Sequence, residues 1–431
     1  MKRLACTIVA GLSLSGCATW PRTLGSTPCC ITGKPLIGRQ PIAWHLVDVT
    51  VVSPVERSLH VVRQSRRVVG IPARSFNLKD GVLTTSTFFT PRDIPSLTPE
   101  AVRWGPTDPR QLPTAPFTIT KPKLEGKTPG FFVTDARGRR YLLKLDPIEA
   151  PELLSGAEVV TSKLIHALGY HVPSYEILRL EPGELRFDPM PSSHARLTTQ
   201  THLDELIRPR LKNGRLRVVA SRLLDGEILG PAKFKAFRDC TEMRALKLAY
   251  AWVNDIDTKD HNSLLVWDGT RTVGYLIDFG TSLGADAGLA GPKSPCAGWR
   301  YVVDMDEWWR EVVTLGLHRS RCHRDVHSFS PAVGTFSGQF DPKEWKPYAP
   351  NIAFHEMNED DAEWIAGRMA QFSRAHIQAA VEAGQYSRPE DAAYLVETLD
   401  QRRLAIMEEY LESEEEDDDE KARRAHRVTV P

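Results

Sequence analysis

Residues 250–284 read YAWVNDIDTKDHNSLLVWDGTRTVGYLIDFGTSLG, and this stretch decides the fold. Asn262 follows Asp257 by five residues, and Asp278 begins an Asp-Phe-Gly tripeptide sixteen residues after Asn262. The longer interval fits a strand, a turn at residues 267–270 and a second strand. Each motif alone is common, and the plain alternative is a β-hairpin with solvated acids at its ends. Their order and spacing together favour one shared chemical site.

In order and spacing these motifs resemble the active-site segment of protein kinases. The His and Arg that precede the catalytic Asp in ordinary protein kinases are replaced here by Asp255 and Ile256, and no Ala-Pro-Glu follows Asp278. The segment therefore looks more like the atypical branch, the inositide-lipid kinases and HipA-type kinases. The resemblance implies an α+β, two-lobed protein-kinase-like fold with a β-rich N-lobe and a helical C-lobe.

The resemblance also implies roles for the residues of this segment. Asp257 would be the base that orients and deprotonates an acceptor hydroxyl, and Lys259 would neutralise charge on the transferring group. Asn262 and Asp278 would hold one or two Mg²⁺ ions. The implied cofactors are Mg²⁺ and ATP or another nucleotide.

Upstream residues complete the implied nucleotide site. Lys144, in the strand-like run 141–145, stands where a kinase lysine binds the α/β-phosphates. Glu158 lies fourteen residues later on a helix predicted over 151–168, where it would pair with Lys144; Glu152 is the fallback partner. Gly126 and Gly130, in a hairpin, would let backbone amides approach phosphate. The alternatives are an edge-strand lysine, a solvated glutamate and ordinary turn glycines.

Composition, the kinase resemblance and the N-terminal pattern described in the next paragraph together divide the chain into six parts. These are a lipoprotein signal peptide (1–16), a lipidated Cys and flexible tether (17–41), a small β-rich unit (42–116), the kinase-like N-lobe (117–228) with a polar insertion (182–216), the helical C-lobe (229–411) and a charged tail (412–431). The run of residues 223–226 matches the position of a kinase hinge, where adenine bonds to backbone.

The first residues predict export and a lipid anchor. Lys2 and Arg3 precede an apolar run over 4–14, which is too short to span a bilayer. The Leu-Ser-Gly-Cys sequence ending at Cys17 resembles the bacterial lipobox, which implies lipid on that cysteine. Ala18 in place of Asp favours the outer membrane. The alternative is an ordinary secretory signal with a chance cysteine.

Composition bounds the partners and the disulfides. Lys plus Arg and Asp plus Glu balance at 55 each, which argues against a nucleic-acid partner. An exported chain would keep five cysteines after Cys6 and Cys17, so the pairing is open; a Cys296–Cys322 bridge is our expectation.

Two functions remain open on these grounds. The first is a membrane-anchored phosphotransferase or nucleotidyltransferase acting on an unknown protein or small molecule. The second is a catalytically inactive kinase-like scaffold that binds partners in the cell envelope. A hydrolase is disfavoured, because no G-x-S-x-G motif occurs.

Overall fold

The structure is a computed structural model that describes most of the chain. It covers residues 28–36, 75–79, 81–124, 126–187, 200–315, 317 and 327–412, with 44, 47–52, 55 and 61–69. The predicted signal peptide, Cys17 and the tail from 413 onward lie outside these residues. Among the described helices, none combines the length and the apolar character needed to cross a bilayer.

The segment 42–116 differs from the small β-rich unit that the sequence predicts. Its described part holds helix α1 (Val61–Val68), two-residue strands β1 (Leu78–Lys79) and β2 (Val82–Leu83), and helix α2 (Pro99–Trp104). β-branched residues favour strands only where a neighbouring strand packs beside them. The valine pairs at 61–62 and 68–69 have no such neighbour, because α1 joins no ladder among the described strands.

Residues 84–104 share one hydrophobic core with the C-lobe. Phe88 is fully buried, and its ring meets that of Phe237 edge-on with 5.1 Å between centroids. The amide of Gly274, between the two key acidic motifs, donates to the carbonyl of Thr87 at 2.7 Å. This N-terminal segment therefore supports the hairpin that ends at Asp278.

Part of the predicted flexible tether is bonded to the body of the protein, which corrects that expectation for residues 29–34. Cys29 forms a disulfide with Cys240, just before a C-lobe helix. The amide of Thr272 donates to the carbonyl of Ile31 at 3.0 Å. A composition rich in Gly, Pro and Thr does not reveal a bridge between cysteines 211 residues apart.

The expected Cys296–Cys322 disulfide stays a prediction. Cys296 is disulfide-bonded, and Cys322 lies outside the described residues. Cys30, next to the bridge of Cys29, is a free and exposed thiol.

The N-lobe is built on a curled, mainly antiparallel sheet. Its strands are β3 (Phe117–Pro122), β4 (Gly130–Thr134), β5 (Arg140–Leu145), β6 (Tyr175–Leu180), β7 (Leu185–Phe187), β8 (Leu211–Lys212) and β9 (Arg215–Arg222). They lie in the order β6-β9-β5-β4-β3-β7, with β8 beside β9 and the β3–β7 pair parallel. Helix α3 (Leu153–Leu168) follows β5, and α4 (Gln200–Ile207) lies in the polar insertion.

Helix α3 confirms the prediction of a helix over 151–168 and is buried on nearly all sides. It ends at Gly169, whose φ of +123° excludes most side chains. A Cβ there would also lie 2.2 Å from the ring of Phe89. The glycine thus lets the N-terminal segment pack directly against the end of α3.

The C-lobe is mostly helical. Its elements are β10 (Glu227–Gly230), α5 (Thr241–Val253), β11 (Ser263–Trp267), β12 (Thr272–Leu276), β13 (Ala285–Asp286), β14 (Gly291–Pro292), α6 (Met305–Val313), α7 (Ile352–His355), α8 (Glu359–Ala370), α9 (Arg374–Ala383) and α10 (Pro389–Met407). The capping box of Asn358 and Asp361 begins α8, as the sequence predicts. A β-sheet lobe and a helical lobe, joined through β9 and β10, make this a two-lobed kinase-like α+β fold.

His171 links the N-terminal segment to the hairpin and provides a test of that packing. Its Nε2 lies 2.8 Å from the Thr90 hydroxyl, and its Nδ1 lies 3.2 Å from the carbonyl of Thr87 and 3.3 Å from that of Gly274. The neutral ring fits this pattern, because Nδ1–H donates to the carbonyls while Nε2 accepts. Burial and the charge of Arg92 lower the pKa of His171 to about 4.

We expect acid to weaken the fold through His171. The unfolded ring takes up its proton near pH 6.5 and the folded ring only near the lowered pKa, so stability falls as pH drops between these values. Between about pH 7.5 and pH 5 the loss should reach roughly 2 kcal/mol. Urea unfolding of the wild type and of His171→Gln should show a smaller pH-dependent loss in the variant. The control His327→Gln, at an exposed position, should lose as much stability with falling pH as the wild type. If His171→Gln also loses as much as the wild type, His171 does not cause the acid sensitivity.

Candidate active site

Three charged side chains from different elements meet between the lobes. Lys144 Nζ on β5 lies 2.6 Å from Glu158 Oε1 on α3 and 2.7 Å from Asp278 Oδ1, which follows β12. Lys144 and Glu158 are buried, whereas the Asp278 side chain is 45% exposed. The ammonium therefore joins the sheet and its helix to the hairpin of the other lobe, and one of its two carboxylate partners is partly open to solvent.

The charges of this cluster shape one another. Burial alone would lower the pKa of Lys144, yet the charges of Asp278 and Glu158 outweigh it and raise that pKa above its usual value. Burial raises the pKa of Glu158 to about 7, against the pull of Lys144. The charge of Lys144 lowers the pKa of Asp278 below its ordinary value. The lysine is thus firmly cationic and Asp278 is an anion throughout the neutral range.

Asp278 adopts a backbone conformation that is unusual for a residue with a side chain. Its φ is +64°, and its amide donates to the Tyr175 hydroxyl at 3.2 Å. A left-handed residue outside glycine costs free energy and persists where its surroundings hold it. Gly280 follows, and a Cβ there would lie 3.2 Å from Glu158 Oε1. The Asp-Phe-Gly sequence is therefore fitted closely around the Lys144–Glu158 pair.

Asp257, Lys259 and Asn262 form one loop at the same end of the hairpin. Asn262 immediately precedes β11 and its carbonyl accepts from the amide of Ile277, just before Asp278, at 2.9 Å. The Asn262 amide group donates to the carbonyl of Asp257 at 2.7 Å. Lys259 forms an ion pair with the Asp257 carboxylate. Antiparallel pairing of β11 with β12 thus brings two sequence motifs sixteen residues apart to one edge.

The donor set fits a magnesium ion. Asn262 Oδ1 and Asp278 Oδ2 accept no hydrogen bond from any described residue, and both are hard oxygen ligands of the kind Mg²⁺ prefers. Within the described residues no cluster of three or more His, Cys, Asp or Glu could hold a metal alone. Magnesium sites for nucleotides use one or two protein oxygens and complete the shell with phosphates and water.

The hairpin between β3 and β4 supplies one cation that the sequence did not single out. Burial raises the pKa of Glu158 and the charge of Lys144 lowers that of Asp278, and the charge of Lys123 makes a smaller lowering contribution to both. The Nζ of Lys123 donates to the carbonyl of Thr128 at 2.9 Å. Three lysines lie in this stretch, so spacing alone could not choose between them. Lys123 follows β3 directly, and its ammonium lies in the turn beside Gly126.

The two hairpin glycines have different reasons to be glycine. Gly126 lies in the turn with φ of +76°, where a backbone amide can face a ligand without a Cβ. Gly130 begins β4, and a Cβ there would lie 2.3 Å from the carbonyl of Leu143 on β5. Close strand pairing therefore accounts for Gly130, and nothing in its geometry requires a phosphate.

The fallback partner of Lys144 is engaged elsewhere. Glu152 Oε2 accepts from the amide of Ser387 at 2.8 Å, far from the cluster. At the predicted hinge, the amide of Leu223 donates to the carbonyl of Arg140 at 2.9 Å and so extends the sheet. The backbone of residues 224–226 then passes between the lobes, as a hinge does.

Comparisons with known proteins give few likenesses. No protein-family model matches the chain, and no curated protein matches it. The chain is similar to the Helicobacter pylori proinflammatory kinase CtkA, with a TM-score of 0.38 and 11% identity over 70% of this chain and 97% of that one. It is also similar to the Golgi casein kinase, with a TM-score of 0.27 and 11% identity over 89% of this chain and 96% of that one. Both likenesses are distant, so the fold assignment rests on the sheet, helices and hairpin described above.

Replacing Lys144 by Met removes the cation but keeps much of the packing. Glu158 then stays buried without its counter-charge, so we expect the free energy of unfolding near pH 8 to fall by about 3 kcal/mol. The loss should shrink near pH 5, because a carboxyl whose folded pKa is raised binds its proton there and needs no counter-charge. Urea unfolding at the two pH values measures both.

The double variant Lys144→Met/Glu158→Gln separates charge from packing. With both charges gone, most of the lost stability should return, while exposed Lys127→Met should change nothing. If the single and double variants lose the same stability at both pH values, the ion pair does not account for the effect of Lys144.

Proposed function

We propose that this chain is an atypical phosphotransferase that binds a magnesium nucleotide between its lobes. The observation that supports it best is the contact of Lys144 with both Glu158 and Asp278, 2.6 and 2.7 Å away, which fixes one ammonium beside the partly exposed Asp278 carboxylate. In this proposal Lys144 binds the α/β-phosphates, with Lys123 and the turn at Gly126 beside them. Asn262 and Asp278 hold the metal, which would neutralise charge on the β/γ-phosphate oxygens.

The transfer step follows from the loop of Asp257. An acceptor hydroxyl oxygen bonds to the γ-phosphorus while the bond from that phosphorus to the β-phosphate oxygen breaks. The proton of the hydroxyl passes to the Asp257 carboxylate, and the leaving nucleoside diphosphate keeps the electron pair. Lys259, paired with Asp257, orients that carboxylate and offsets charge on the transferring group. Positioning and electrostatics, rather than a covalent intermediate, lower the barrier.

Three side-chain oxygens of the site that accept no hydrogen bond from a described residue favour a catalytically active protein over an inactive scaffold. Asp257 Oδ1, Asn262 Oδ1 and Asp278 Oδ2 have no hydrogen-bond partner among the described residues, although each lies beside a fixed cation or amide. A magnesium nucleotide would complete these ligands.

We also propose that lipid on Cys17 holds the chain at the bacterial envelope, with the outer membrane as the expected location. The bonded stretch 29–34 would then lie about a dozen residues from the anchor, on the side of β12. The acceptor is an unidentified protein or small molecule, and nucleic acid is not expected because the charges balance.

A non-catalytic binding module is the second candidate, favoured by the exposed apolar surface of α6. Trp308 is 52% exposed and Trp309 is 61% exposed, and such neighbours commonly mark contact surfaces. This function would need the scaffold but not the ions of the cleft. It therefore predicts no effect of nucleotide.

Thermal unfolding with Mg-ATP tests the proposed function on the form without residues 1–17. At about 100 times the dissociation constant, a bound nucleotide adds ~2.7 kcal/mol, which raises the Tm by several degrees. We expect the rise to vanish in Asp278→Ala and to shrink in Lys144→Met. Asp257→Asn should keep the rise yet lose transfer of ³²P from γ-labelled ATP to the chain or to added protein.

Matched variants on the surface complete that experiment. Exposed Asp268→Asn, in the turn between β11 and β12, should keep both the rise in Tm and the transfer. A wild type whose Tm is unchanged by Mg-ATP, Mg-GTP and other nucleotides would reject the phosphotransferase and leave the binding module. Label transferred from α-labelled rather than γ-labelled ATP would indicate nucleotidyl transfer.

A further inference from the structure

A buried lysine outside the proposed active site, Lys293, connects the loop that carries Asp257 to the segment that follows Asp278. Lys293 follows β14 and is 3% exposed. Its Nζ donates to the carbonyl of Leu283 at 2.7 Å and also to the carbonyl of Asn254. Asn254 begins the loop that carries Asp257, and Leu283 lies five residues after Asp278. One ammonium therefore bridges the backbones on which both acids are mounted.

Further bonds close the same junction. The Thr281 hydroxyl donates to Asp255 Oδ1 at 2.9 Å, and the amide of Leu283 donates to the carbonyl of Val253 at 2.6 Å. Asp255 is 2% exposed, and its charge and that of Asp286 oppose the burial that lowers the pKa of Lys293. Asp255 and Ile256 stand where ordinary kinases have the His and Arg before the catalytic Asp. The replacement is therefore part of a closed junction rather than a gap.

A second cation holds the same helix end from the other side. The Arg402 guanidinium donates to the carbonyls of Ala251 and Trp252, at 2.6 and 2.9 Å. These are last-turn carbonyls of α5, where the helix dipole favours positive charge. Trp345 donates to the Asn254 side chain at 3.0 Å. The start of the loop is thus fixed on both faces before any ligand binds.

We propose that Lys293 is a positioning residue of the phosphotransfer site, holding the loop of Asp257 and the segment after Asp278 in one arrangement without phosphorylation of the chain. In protein kinases, phosphorylation orders the corresponding segment through new arginine–phosphate contacts. Here the chain supplies its own amine from residue 293, which donates to two backbone carbonyls, with Asp255 and Asp286 as buried acids whose charge acts on it. This inference rests on the proposed function for its catalytic consequence, and on the contacts above for the positioning itself.

The chain offers a matched control in the N-lobe. Lys163 is also fully buried, donates to two backbone carbonyls at 2.9 Å each and pairs with Glu176 at 2.7 Å. Its hydrogen-bond partners lie on α2, on β6 and at Thr107, and none of them belongs to residues 254–262 or 279–284. Loss of Lys163 therefore reports what removing any buried, paired lysine does to the fold.

Hydrogen exchange of the full chain without nucleotide tests the positioning. In Lys293→Met the contacts of Lys293 are absent, so local opening of this region costs less free energy. We therefore expect the backbone amides of residues 254–262 and 279–284 to exchange about tenfold or more faster than in the wild type. Lys163→Met should leave that exchange as in the wild type. Equal exchange of these residues in the wild type and in Lys293→Met would overturn the proposal, whatever the chain does with nucleotide.

Turnover tests the catalytic consequence with a charge-matched variant. Burial raises the pKa of Asp255, which means that its charged form is costly there. Replacing Asp255 by Asn removes that charge, so Lys293→Met/Asp255→Asn should recover the stability that Lys293→Met loses. We expect γ-phosphoryl transfer from Mg-ATP at saturation to stay about 10²-fold below the wild type in both variants, while Mg-ATP still raises the Tm. Wild-type transfer by the double variant would overturn the proposal. A wild type with no transfer at all would instead reject the proposed function.

Discussion

A single buried ammonium constrains the arrangement of both lobes. Lys144 has no water to solvate it, so its burial requires carboxylates within hydrogen-bonding distance. Glu158 supplies one from α3 and Asp278 supplies the other from the far lobe. Removing one partner from a buried ion pair costs several kcal/mol, because it leaves an uncompensated charge. The sheet, the helix and the end of the hairpin are therefore held in fixed positions relative to one another. The cleft between the lobes follows from this requirement.

The helical lobe shows the same principle at the end of α5. Lys293 and Arg402 both donate to carbonyls at or just beyond its last turn, and the loop carrying Asp257 leaves from that point. The N-terminal segment and the bonded stretch 29–34 contribute too, since the carbonyls of Thr87 and Ile31 accept from amides of β12, which precedes Asp278. Backbone carbonyls and buried cations together thus support the acidic residues from three sides. The resulting site is fixed by the fold rather than by a ligand.

The sequence predicted the parts of this arrangement that rest on local pattern. Helix α3 follows from apolar spacing, α8 from the cap of Asn358, and the β11–β12 hairpin from the interval between Asn262 and Asp278. The resemblance then selected Lys144 and Glu158 by position. Whether Glu158 or Glu152 pairs with Lys144 stayed open at that stage, and the position of α3 beside β5 in the structure decides for Glu158.

Contacts between distant parts of the chain were beyond such reasoning. The bridge of Cys29 with Cys240, the role of Lys293 and the orientation of Lys123 depend on which segments become neighbours after folding. The helical state of α1 was missed because β-branched residues fit a strand only where a partner strand exists. Gly130 was assigned to phosphate binding, whereas the close approach of Leu143 explains it. Tertiary neighbours decide each of these points.

Electron paramagnetic resonance of Mn²⁺, a spectroscopic substitute for Mg²⁺, tests the central claim most directly. In the presence of ATP, the wild type should bind Mn²⁺ tightly, and Asn262→Ala or Asp278→Ala should weaken that binding at least tenfold, because each removes a ligand oxygen. Lys144→Met should weaken it as well, through loss of the phosphate contact. Identical Mn²⁺ binding by all four proteins would mean that these side chains do not form a metal–phosphate pocket.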